Sequence, residues 1–103
     1  MQRFLITYSK GRASARGFTV EFESQPGKYQ LEFTAVDRLD AFVQGLRHFT
    51  RLGLNASIAR NADGQSFLGL SDDVIADQLK TRGLDFNAGL TTGILVERIV
   101  PAP

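Results

Sequence analysis

The stretch "FTVEFESQPGKYQLEFTA", residues 18–35, decides how the fold is read. On its left arm Phe18, Val20 and Phe22 point one way, and Thr19, Glu21 and Glu23 the other. On its right arm Tyr29, Leu31, Phe33 and Ala35 share one face, leaving Gln30, Glu32 and Thr34 on the other. A period of two means strands with one dry and one wet side, the habit of antiparallel sheets. "SQPGK", Ser24–Lys28, separates the arms with Pro26-Gly27 at its centre, so the stretch is predicted as a hairpin. A two-residue connection would set Glu21 against Glu32, and like charges facing each other weaken a ladder. A four-residue connection sets Glu23 against Lys28 and Glu32 against Thr19. A type II Pro-Gly turn also twists badly for a two-residue hairpin, so the four-residue register is expected. It leaves no carboxylate pair with the defined separation that acid–base chemistry needs.

Upstream, "RFLITYS", Arg3–Ser9, alternates and is rich in aromatic and β-branched residues, so a further strand is expected there. Downstream the period changes. In "DRLDAFVQGLRHFTRLG", residues 37–53, Leu39, Phe42, Val43, Leu46, Phe49 and Leu52 recur at steps of three and four. That stripe predicts an amphipathic helix, capped by Asp37 and ended by Gly53. "NASIAR" and "QSFLGL" flank "NADG", residues 61–64, which reads as a second hairpin. "SDDVIADQLKTRG", residues 71–83, predicts a helix with Ser71 as N-cap, Ile75 and Leu79 facing the core, and Gly83 as its stop. "LDFNAGLTT" is expected as a loop and "GILVERIV", Gly93–Val100, as a last strand. Strict alternation there puts Ile94, Val96 and Val100 on one face and Leu95 and Ile99 on the other. Apolar residues on both faces suit a central strand, or an edge strand covered by a partner, and pairing of the first or last strand with a second copy would make a dimer.

The expected fold is therefore α+β. It has a mainly antiparallel sheet of about five to six strands, in the order β-β-β-α-β-β-α-β, with two helices packed on one face. A chain of 103 residues suits one domain, 1–103. Its 43% hydrophobic and 22% charged content is that of a globular chain, not a disordered one. No apolar run approaches the length of a membrane span or a signal peptide, so a cytoplasmic protein with no membrane contact is expected. Cysteine is absent, which excludes disulfides, thiolate nucleophiles and iron–sulfur clusters in this chain. His48 is the only histidine, and it lies off the helix stripe with no second ligand beside it, so no metal and no cofactor are expected. No G-x-S-x-G elbow supports a serine nucleophile, and capping fully accounts for Ser71.

The remaining functional signal is charge. "KGRASARGF", residues 10–18, holds Lys10 just before Gly11 and Arg12 and Arg16 between Gly11 and Gly17. A P-loop needs four residues between its glycines and a helix after them; here there are five, and a strand follows. What is left is a basic loop able to meet phosphate or an acidic protein surface, or simply a solvated hairpin tip. Arg47, His48 and Arg51 form a second basic group, which could extend a phosphate track or merely complement the helix dipole. Net charge alternates in blocks of twenty residues, +4, −3, +3 and −3, and such blocks more often pair across a fold than mark one ligand. These readings point to a small non-catalytic binding module; an inhibitor or regulator of a larger assembly fits, and so does an accessory protein of phage or plasmid type. Its expected partner is a protein or a second copy of itself. Nucleic acid contacted through Lys10, Arg12, Arg16, Arg47 and Arg51 is the alternative, and a small-molecule enzyme has least support.

Overall fold

The computed structural model describes residues 1–13, 20–22, 29–54, 56–59, 63, 65–84 and 94–103; for 10–13, 20–22 and 57 it describes the backbone only. The elements run β1 (Gln2–Ala13), β2 (Val20–Phe22), β3 (Gln30–Ala35), α1 (Arg38–Arg51), β4 (Ala56–Ile58), α2 (Asp72–Lys80) and β5 (Ile94–Pro101). The class is α+β, but the expected order β-β-β-α-β-β-α-β and the five to six mainly antiparallel strands do not hold. The body of the sheet is three antiparallel strands, β3-β1-β5, extended by the three-residue pieces β2 and β4.

The first correction falls on residues 18–35. β2 and β3 do not pair with each other; both run antiparallel to β1. Gly11 lies opposite Phe22, and Thr7 opposite Gln30. Four steps along β1 thus correspond to eight steps on the returning chain, from Phe22 to Gln30. β2 and β3 therefore both lie along β1 and do not form a hairpin with each other; the expected Pro26-Gly27 turn itself lies outside the described residues. The expected facing of Glu32 and Thr19 is replaced by Glu32 opposite Leu5, with Arg3 diagonal to it. The Arg3 guanidinium meets the Glu32 carboxylate at 3.4 Å. This joins the first basic block to the first acidic one, although an exposed pair of this kind contributes no more than about 1 kcal/mol.

The second correction falls on residues 55–70. β4 runs parallel to β5, with Ala56, Ser57 and Ile58 opposite Ile94, Leu95 and Val96. Parallel neighbours cannot be joined by a tight turn, so the chain crosses over through α2 before it returns as β5. "QSFLGL" is accordingly not a strand. Gly69 takes φ +68°, and its N–H reaches back to the Ser66 carbonyl at 3.1 Å, closing a turn.

The third correction concerns β5, which lies between β1 and β4. Thr7 faces Arg98, yet Tyr8 faces Val96, so Glu97 is the extra residue of a β-bulge. Glu97 and Arg98 both stay exposed, and the bulge returns Ile99 to the same buried side as Ile94 and Val96, while Val100 is only half-buried. Strict alternation had put Ile99 opposite those two.

Both helices end alike. Asp37 accepts the Asp40 N–H at 2.8 Å, and Ser71 accepts that of Val74 at 3.4 Å. At the other ends Gly53 and Gly83 take φ +74° and +73°, and Leu54 and Leu84 donate to the Phe49 and Leu79 carbonyls. That is the Schellman arrangement, which satisfies carbonyls no helical N–H can reach. Phe42, Val43, Leu46 and Phe49 bury the α1 stripe; Leu52, at the cap, is exposed. Ile75 and Leu79 of α2 complete a core shared with Phe4, Ile6, Ile58, Ile94, Val96 and Ile99. Gly45 brings α1 close to β1: a Cβ there would stand 2.9 Å from Ile6 Cδ1. Among the described residues no helix is long and apolar enough to cross a membrane.

Candidate binding surface

The basic residues singled out from the sequence do not share one loop. Lys10 and Arg12 belong to β1, which runs to Ala13, opposite Ile94 and Glu21 respectively. The strand is longer than its alternation suggested, because the ladder to β2 holds backbone that side-chain pattern alone assigns to a loop. Arg16 and the expected tip lie outside the described residues. Arg47 and Arg51 are both exposed on α1. Arg47 Nη2 donates to the Arg82 carbonyl at 3.5 Å, turning it toward the segment after α2. Among the described residues no three His, Cys, Asp or Glu side chains could hold a metal ion.

Where the C-terminal half of α1 meets the sheet, aromatic rings gather. Tyr8 stacks on Tyr29 with ring centroids 5.4 Å apart and meets Phe49 edge-on at 4.9 Å. His48 sits edge-on to both Phe33 and Phe49, at 6.3 and 5.6 Å. It is half-buried, not the free surface group its place off the stripe suggested. Burial raises the Tyr8 phenol above its ordinary range, and the neighbouring Tyr29 adds to the effect. These contacts fasten α1 to β1 and β3. On the opposite side of β1, the Ser9 hydroxyl donates to Glu97 Oε1 at 2.6 Å, so the bulge carboxylate is held by its neighbour strand. Thr7, one step away on that side, is buried with its hydroxyl unpartnered among the described residues.

The other end of the sheet carries a groove that the sequence reading missed. Its cavity volume is about 540 Å³. Phe4 and Pro101 form its floor at the ends of the two central strands. Val36 and Leu39 wall it where β3 passes into α1, and Leu68 and Leu70 wall it from the turn that replaces the expected strand. Gln2, Asp37 and Arg38 make the polar rim. Val36 is 71% exposed and adjoins the half-buried Leu39, Leu68 and Leu70 on the groove. Asp37 is occupied as the N-cap, whereas Arg38 is exposed and has no hydrogen bond or ion pair among the described residues. A second hollow of about 360 Å³ lies along Gln65–Asp72 and shares Leu70. The only sequence cue was Val36 itself, an aliphatic residue between a strand and a cap that fits neither period. The floor and the two walls come from segments far apart in sequence, and no local pattern foretells their meeting.

No family model, no curated protein and no solved structure matches this chain.

Proposed function

We propose that the protein is a non-catalytic binding module whose working surface is the groove at the N-terminal end of α1. Its occupant is an apolar segment of a partner protein with a carboxylate beside the inserted side chain. The observation that carries this reading is the uncovered Val36 on a groove otherwise walled by Phe4, Leu39, Leu68 and Leu70. Contiguous apolar surface rimmed by polar residues marks interaction sites more often than chance. Arg38, exposed and unengaged at the rim, supplies a cation for the partner's acid.

The test places a photo-crosslinking amino acid at Val36 and, as a control, at exposed Asp77 of α2. Illumination in extract of the native cell should give a discrete protein adduct from position 36 and none from 77. Leu70→Asp should reduce that adduct at least five-fold, and so should Arg38→Glu, which sits on the surface and leaves the core alone. Equal labelling from both positions, or an adduct indifferent to both substitutions, refutes the reading.

A further inference from the structure

The sequence reading placed a dimer contact on the first or last strand, but β1 and β5 are both internal. β3 has β1 as its one strand partner among the described residues, none of which pairs along its far edge. The ladder geometry says which groups that edge presents. The Tyr8 N–H donates to the Tyr29 carbonyl at 3.1 Å, which makes Tyr8 and Tyr29 a hydrogen-bonded pair. Antiparallel ladders alternate, so Leu31, Phe33 and Ala35 likewise turn their backbone groups to β1, while Gln30, Glu32 and Thr34 turn theirs outward. Thr34 is engaged already: its carbonyl accepts Gln44 Nε2 of α1 at 2.9 Å. The Val36 N–H, next along the same edge, is held by Asp40 Oδ2 at 3.0 Å. Helix side chains thus close the C-terminal half of the edge, and the N–H and C=O of Gln30 and Glu32 have no partner on that side among the described residues.

We propose that this open half of β3 pairs antiparallel with the same segment of a second copy, about a two-fold axis at Leu31. The closed half rules out registers centred further along the strand. An axis at Glu32 or Phe33 would need the Thr34 carbonyl that Gln44 occupies. An axis at Glu32 would also set two carboxylates face to face, which opposes pairing. With the axis at Leu31, Gln30 meets the partner's Glu32 and each such pair exchanges both backbone hydrogen bonds. Leu31 meets its own copy, and Tyr29 meets the partner's Phe33. All three side chains are half-buried in the single chain, so a second copy covers apolar surface left at the edge. An interface this short belongs to the weak class, below about 1,200 Å² of total buried area.

Sedimentation velocity from about 10 μM to about 1 mM measures the association directly. A concentration-dependent dimer is expected. Glu32→Pro removes the outward N–H without touching the β1 ladder and should leave a monomer at every concentration. Glu32→Ala loses the Arg3 ion pair but keeps the N–H and should still dimerise. Because the chain has no cysteine, the register can be read by oxidation. Leu31→Cys should form an intermolecular disulfide readily, since residues facing across the axis fall within disulfide reach, and Glu32→Cys should not. A chain monomeric at about 1 mM, a dimer that survives Glu32→Pro, or faster oxidation of Glu32→Cys than of Leu31→Cys would overturn the proposal.

Discussion

Gly45 sets α1 close against the sheet, and replacing it tests how tightly the two layers fit. Gly45→Ala has two opposed consequences. In the interior of a helix, alanine is favoured over glycine by about 1 kcal/mol. The added methyl, however, would stand 2.9 Å from Ile6 Cδ1, and Ile6 is fully buried, so that methyl has little free space to retreat into. Overpacking of this kind costs about 1–3 kcal/mol. The net expectation is a loss of about 1 kcal/mol, or about 4–8 °C in Tm for a domain of this size. Ile6→Val removes the very atom in conflict. Alone it should cost about 0.5–1.5 kcal/mol by leaving a small void. Combined with Gly45→Ala, the new Cβ occupies the space the Cδ1 vacates, and the double variant should regain wild-type stability to within about 1 kcal/mol. Urea denaturation of the four proteins closes the cycle, with an expected favourable coupling of about 1–2 kcal/mol. Additivity within about 0.5 kcal/mol would refute the claimed contact, and so would a Gly45→Ala protein stabilised by the whole helix-propensity gain.

Other expectations follow from single groups. Thr7→Val, which swaps a buried unpartnered hydroxyl for a methyl of similar shape, should raise Tm; a loss above about 1 kcal/mol would mean the hydroxyl is satisfied. The raised Tyr8 phenol sets a sign for alkaline pH. The folded chain holds this proton more tightly than the unfolded one, so the contribution is intact below the unfolded value near 10 and is lost as pH rises through the folded value. Denaturation measured across that range should fall less steeply for Tyr8→Phe than for wild type, and equal slopes would contradict the assignment. Deleting Glu97 should leave a folded protein that has lost about 1–3 kcal/mol with the Ser9 hydrogen bond, because removing the bulge restores plain alternation with Val96 and Ile99 still inward. Deleting Leu95 reverses Ile94 relative to Val96 and should abolish the cooperative transition by circular dichroism.

These positions also show what the sequence could reveal. Both helices were legible because their information is local: Asp37 and Ser71 at one end, Gly53 and Gly83 at the other, an apolar stripe between. The alternation of residues 29–35 was legible too, with Gln30, Glu32 and Thr34 exposed as it required. Pairing was not, because alternation says which way side chains point and nothing about which strand lies alongside. Pro26-Gly27 is a strong turn signal, yet β2 and β3 on either side of it pair with β1 and not with each other. Asp63-Gly64 is another, yet the strand that follows Ile58 across the ladder is β5, some forty residues on. The bulge at Glu97 leaves no mark of its own, since two polar residues in a row fit a regular strand that changes face. The candidate surface was least visible of all. Lys10, Arg12, Arg16, Arg47 and Arg51 stood out because charge is conspicuous in a sequence, whereas Phe4, Leu68 and Leu70 look like ordinary core until the fold sets them beside an opening.

The open edge of β3 and the groove beside Val36 both depend on β3 lying against β1 and not against residues 18–23. Interstrand Hα–Hα contacts by nuclear magnetic resonance decide this, because facing residues in non-hydrogen-bonded antiparallel pairs bring their Cα atoms to about 4.5 Å. Strong cross-peaks are predicted between Leu5 and Glu32 and between Thr7 and Gln30. A cross-peak joining Glu32 to Thr19, with none to Leu5, would contradict the account.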